Sequence, residues 1–174
     1  DHAGGLLSSW QEGVAPQLAF PNAEYLVGKT HWERATHPHP RDRASFIPVL
    51  NDLLEQSGRL HLVDTAHHEL LGDEVTFEFS EGHTIGLMHS IVSGLVFATD
   101  LIPGSAWIHV PISMGYDRFP EQLIDEKSVF LKRYLEAGHR LFFTHDPDFS
   151  VAEIAFENNR YSVKNTITQL NEEV

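Results

Sequence analysis

Three apolar segments each run straight into a residue able to bind a metal ion, and this feature restricts the fold of the 174-residue chain most. Val75, Phe77 and Phe79 alternate with Thr76, Glu78 and Ser80 and lead to Gly82-His83-Thr84. Leu95-Val96-Phe97-Ala98-Thr99 leads to Asp100, and Leu141-Phe142-Phe143-Thr144 leads to His145-Asp146. The first has the period of two of a half-buried strand; the others are continuous runs suited to strands covered on both faces. Strand ends at one sheet edge meet in space, so His83, Asp100 and His145 are expected to converge. Rigid strands also hold ligands better than free loops do. Taken singly, each reads better as an ordinary polar residue at a strand exit; three in one pattern favour a shared site.

The rest of the chain supplies the partners of such a sheet. Ala23 to Val27 and Leu60 to Val63 read as short strands, and Val151 to Phe156 with Tyr161 to Lys164 as a hairpin turned by Asn158-Asn159. A helix capped by Ser45 has Pro48 in its first turn, Val49, Leu50, Leu53 and Leu54 as its apolar stripe, and Gly58 at its end. A second begins near Pro120 and closes at Gly138. It is acidic early and basic late, and buries Leu123, Ile124, Phe130, Leu131, Tyr134 and Leu135. Mixed strands and helices of this kind make a layered α/β or α+β domain. Composition shifts little along the chain, so residues 1–174 read as one domain.

Composition narrows the chemistry. Lys and Arg number 12 against 25 Asp and Glu, a formal charge of −13. That sign argues against nucleic acid and anionic membrane as partners. No apolar run approaches the roughly 20 residues that span a bilayer. Cysteine is absent, so neither disulfides nor thiolate metal sites exist here, and any metal is held by nitrogen and oxygen. Histidine, the commonest protein metal ligand, occurs 12 times. His37-Pro38-His39 has metal-like spacing but reads better as a stiff surface loop. Trp10, Phe20, Trp32 and Trp107 suit either a pocket lining or ordinary packing.

The motifs resemble those of the metallo-β-lactamase superfamily. Asp1-His2-Ala3-Gly4-Gly5 looks like the end of its His-x-His-x-Asp-His motif, and Gly82-His83-Thr84-Ile85-Gly86 is similar to its Gly-His-Thr-Pro-Gly turn. Leu95 to Asp100 matches the strand ending in a metal-bridging aspartate, and Leu141 to Asp146 the final strand with its histidine ligand. The resemblance implies a four-layer αββα sandwich of which this chain covers mostly the second half. An N-terminal piece containing His-x-His would then lie outside it. It implies a dinuclear zinc site: Asp1, His2 and His145 on one ion, His83 on the other, Asp100 bridging, with Asp1 and Asp100 catalytic.

A metal-bridging hydroxide would then attack an ester, lactone, thioester or similar small molecule. Asp146 is expected either to support His145 from behind or simply to form the turn before Pro147. Tyr116, in Gly115-Tyr116-Asp117, is a candidate to assist an oxyanion from a loop. Ile85 stands where the family usually has proline. Leu87 and Pro103 stand where the lactonase branch often has histidine and tyrosine, which weakens a specific expectation of homoserine-lactone hydrolysis. Iron or manganese could stand in place of zinc, and two other readings stay open: iron redox chemistry in the same fold, as in persulfide dioxygenases and flavodiiron proteins, and a non-catalytic scaffold with a degenerate site. Cytoplasmic localisation is the expectation, and assembly as a homo-oligomer is left open.

Overall fold

A computed structural model describes residues 3–9 and 11–169. The chain divides into two compact units, Asp1–Asp64 and Thr65–Val174. The first holds strand β1 (Tyr25–Gly28), helices α1 (Lys29–Thr36) and α2 (Pro48–Gln56), and strand β2 (Leu60–Val63). The two strands pair in parallel, with Tyr25 opposite Leu60, which the intervening helices make possible by returning the chain to the same end. Tyr25, Leu50 and Leu54 form the core of this unit, with Trp32, Ile47 and Leu60 packed against them.

Two details here differ from the sequence expectation. Ser45 does not cap α2: residues Arg43–Ser45 make a separate 3-10 turn, and Ile47 occupies the cap position without a side-chain bond. Pro48 explains the shift, since its fixed φ suits the first helical position, where a missing N–H costs nothing. Helix α1 has no counterpart in the expected elements, and only Ala35 of its eight residues is buried. Trp32 and Ala35 are its apolar residues, too few to mark a buried face in the sequence.

The second unit is built on a six-stranded sheet, ordered β3-β4-β5-β6-β7-β8. Its strands are β3 (Val75–Ser80), β4 (Leu87–Val92), β5 (Leu95–Phe97), β6 (Arg140–Phe142), β7 (Val151–Glu157) and β8 (Arg160–Ile167). Helix α3 (Pro120–Glu136) lies in the connection from β5 to β6, which pair in parallel; all other neighbours are antiparallel. Asn158 and Asn159, at φ 49° and 60°, turn β7 into β8 in the left-handed pair of a tight hairpin, as their sequence suggests. Ser93 and Gly94 do the same between β4 and β5.

Val96, Leu141, Ala152 and Ile154 of the sheet pack with Leu123, Phe130, Leu131 and Tyr134 of α3 to form the larger core. The expected helix face is largely observed, with one addition: Lys127 is fully buried within it. Its ammonium donates to the carbonyls of Trp107 at 3.0 Å and Ile112 at 2.5 Å, which pins the loop after β5 to the helix. Burial pushes this amine down to about 8, with Asp117 opposing the shift.

Candidate metal centre

Sheet direction decides which residues can meet. Strand β3 is antiparallel to β4, β4 is antiparallel to β5, and β5 is parallel to β6. Hence β3, β5 and β6 point the same way, and their carboxyl ends share one edge of the sheet. His83, Asp100 and His145 follow those three ends. The Nε2 of His83 lies 3.4 Å from Oδ2 of Asp100, and the Nε2 of His145 lies 3.3 Å from Oδ1 of the same carboxylate. His83 and Asp100 are buried, whereas the His145 side chain is 46% exposed, so the cluster opens on the His145 side.

The turn carrying His83 is held from several directions. Nδ1–H of His83 donates to Oδ1 of Asp117 at 2.8 Å, and Oδ2 of Asp117 accepts from the Met114 amide at 2.5 Å. Glu126 of α3 accepts from the amides of Glu81 and Gly82, at 3.0 and 2.9 Å. Glu81 in turn accepts from Gly86 at 3.0 Å, closing the turn without any need for proline at Ile85. Gly82 presses against α3 so closely that a Cβ would stand 2.4 Å from the Leu123 Cα. Glycine here is a packing requirement, since no real Cβ contact is that short.

Asp100 sits in a 3-10 turn, Thr99–Leu101, directly after β5. Thr99 before it has φ +50°, a left-handed conformation that a β-branched residue rarely adopts. His145 is fixed through its backbone, whose N–H donates to the Pro103 carbonyl at 2.8 Å. Asp146 anchors the same loop twice over. One oxygen accepts from the Ser105 amide at 2.6 Å, and the other from Asp148 and Phe149 at 3.0 and 2.9 Å. Burial would raise this carboxyl, but the Ser105, Asp148 and Phe149 donors together hold it below its ordinary range. It forms the turn and ties it to Ser105.

The chemistry of the donors suits a cation. A carboxylate can only accept, so Asp117 fixes the proton of neutral His83 on Nδ1 and leaves the Nε2 lone pair facing Asp100. Lone pair and carboxylate repel unless a proton or a metal ion lies between them. Without metal, the proton takes that role: burial disfavours the charged imidazole, but Asp100 and Asp117 outweigh it and push His83 up to about 9. The Nε2 of His145 lies 3.3 Å from the other oxygen, so one carboxylate has a separate imidazole at each of its two atoms. Among the described residues, no group of three His, Asp or Glu side chains forms a complete ion-binding set. Asp1 and His2, like Trp10, lie outside the described residues.

The other expected residue, Tyr116, is 82% exposed, and its neighbour Asp117 is the one turned inward at 0%. Neither Asp117 nor Glu126 stands out in the sequence as a support of the His83 turn. Their positions, 34 and 43 residues further on, carry no spacing signal; only packing of α3 against the turn brings them there.

No family model matches the sequence, and no curated protein matches it. Solved structures do. The dizinc quorum-quenching lactonase AidC superposes with a TM-score of 0.69 at 21% identity, over 89% of this chain and 58% of that one. A probable metal-dependent hydrolase from Staphylococcus aureus gives 0.70 at 20% identity, over 87% and 56%. AbOPH, a hydrolase in the β-lactamase superfamily, gives 0.67 at 14% identity, over 89% and 58%. The chain has a metallo-β-lactamase fold. It spans less than three fifths of the length of each of these proteins. Within this metallo-β-lactamase fold no helix of the described residues is long and apolar enough to cross a membrane.

Proposed function

We propose that the chain contributes to a dinuclear metal site of a hydrolase acting on an ester, lactone, thioester or similar small molecule. One observation carries this reading: two imidazole nitrogens, from His83 and His145, stand 3.4 and 3.3 Å from opposite oxygens of the buried Asp100 carboxylate. In this reading His83 would hold one ion and His145 the other, with the Asp100 carboxylate serving both. Zinc suits a donor set of imidazole and carboxylate with no thiolate. Bound there, a metal pair would supply Lewis acidity, lowering the pKa of bound water toward neutrality and polarising the scissile carbonyl.

The residues of this chain do the positioning. Asp117 orients the His83 ring, and Asp146 with the Pro103 carbonyl fixes the loop of His145. The exposed side of His145 leaves room for substrate to approach. The neighbours' activities support a hydrolase, and AidC is a dizinc lactonase, while Leu87 and Pro103 leave the substrate open among acyl compounds.

Metal analysis of the full-length protein, followed by hydrolysis assays on lactone, thioester and phosphodiester panels, tests the reading. Two equivalents of zinc are expected, with hydrolysis abolished in Asp100→Ala. Absence of bound metal, iron with oxygen consumption, or hydrolysis unchanged in that variant would overturn it.

A further inference from the structure

His89 belongs to no ligand set, yet it stands between two of the strand exits that form the site. It lies on β4, flanked by β3 and β5, and is 1% exposed. Its Nε2 is 2.8 Å from Oγ of Ser80, the last residue of β3 and three residues before His83. Its Nδ1 is 3.1 Å from Oγ1 of Thr99, the residue immediately before Asp100. One imidazole therefore ties together the two chain segments that carry His83 and Asp100.

Proton counting gives the bonds a direction. The Thr99 hydroxyl donates its single proton to the Ala98 carbonyl at 2.8 Å, so toward His89 it accepts. Nδ1 is then the donor, and Nε2 accepts from the Ser80 hydroxyl. Burial keeps the ring neutral, lowering it to about 4 against the pull of the Ala98 and Phe97 carbonyls. The ring of Phe130 from α3, 5.3 Å away and tilted by 58°, packs against the imidazole and holds its plane. Thr99 itself is held at φ +50°, where the branched side chain crowds the backbone. Such a conformation persists only when its surroundings enforce it, and the contact of His89 with the Thr99 side chain is one such constraint.

We propose that His89 is a positioning residue: by bridging Ser80 and Thr99 it holds the left-handed turn at Thr99 and so sets the spacing of Asp100 from His83. This rests on the dinuclear reading for its functional consequence, though the clamp itself is a property of the metal-free chain. A histidine that merely fills the core would affect stability alone. A clamp makes a further demand, because its loss should be repaired by a residue that adopts positive φ unaided.

The test measures zinc affinity of the full-length protein alongside the 13C shifts of residue 99, which report its backbone conformation without metal. In His89→Leu, zinc affinity is expected to fall at least tenfold, in the range of other supports of metal ligands. The residue-99 shifts should leave the left-handed range. Adding Thr99→Gly should return affinity to within about threefold of wild type, because glycine adopts this conformation freely. Should His89→Leu fail to fold, Thr99→Ala and Thr99→Gly keep the question decidable: the first loses tenfold or more, the second much less. Unchanged shifts and affinity in His89→Leu, or equal losses in the two Thr99 variants, would overturn the clamp. A wild-type protein that binds no zinc defeats the dinuclear reading instead, and the metal-free shifts still decide the role of His89.

Discussion

Nδ1–H of His83 donates to Oδ1 of Asp117 at 2.8 Å, and this one bond turns the opposite nitrogen of the ring toward Asp100. Asp117 is fully buried and accepts at both oxygens, since Met114 N–H occupies the second. An amide cannot do this: one of its two ends is a donor and would face a donor. Asp117→Asn is therefore expected to lower zinc affinity by roughly 10–100-fold, the usual cost of losing a carboxylate behind a metal-binding histidine. Competition against a chromogenic chelator measures it, and an affinity equal to wild type would show that the ring is oriented by something else.

Gly82→Ala should destabilise the second unit and disturb the His83 turn together. Its Cβ would lie 2.4–2.6 Å from backbone and Cβ atoms of Leu123, which a helix can relieve only by moving. Overpacking of this kind costs about 1–3 kcal/mol, and each kcal/mol lowers Tm by roughly 2–4 °C in a chain of this size. Gly104→Ala is the contrast, because its nearest neighbour is the Asp146 carboxylate oxygen at 3.1 Å. Thermal unfolding should rank Gly82→Ala as clearly the more damaging.

Lys127→Met preserves the length of the buried stem but removes the ammonium from the Trp107 and Ile112 carbonyls. Leaving these partly buried acceptors unsatisfied costs at most about 1–3 kcal/mol, partly offset because a buried charge is also removed. A net loss of stability is expected in urea titration. A gain would mean that desolvation of the amine outweighs both bonds.

Stability of the metal-free protein should depend on pH with two opposite signs. His89 is pushed down to about 4, so between about 6.5 and 4 the unfolded chain binds more protons than the folded one. Its contribution is complete above pH 6.5 and is lost as pH falls, by as much as ~3 kcal/mol. His83 is pushed up to about 9, so its contribution is complete below about 6.5 and is lost as pH rises toward 9. Denaturant midpoints across this range should peak between the two windows, and His89→Leu should flatten the acidic side only.

Much of the sheet was legible in sequence because its signal is local. The alternation from Val75 to Phe79, the apolar runs before Asp100 and His145, and the paired asparagines at 158 and 159 all act over a few residues. Strand β4 was not legible: His89 and Ser90 interrupt its apolar pattern, and the buried His89 is accommodated only through hydroxyls on the neighbouring chain segments. Helix α1 escaped for a similar reason, because Ala35 is its one buried residue.

By itself the sequence determined the metal-competent residues at three strand exits, and with them the expectation that they meet. Tertiary structure alone decided how they meet. The shared direction of β3, β5 and β6 brings the three exits to one edge, which follows from strand pairing and not from any local pattern. Asp117, Glu126 and His89 then orient the His83 turn and the approach to Asp100 through a few directional bonds. A hydrogen bond depends on where its two ends lie in space. Their separation along the chain leaves no periodicity to read.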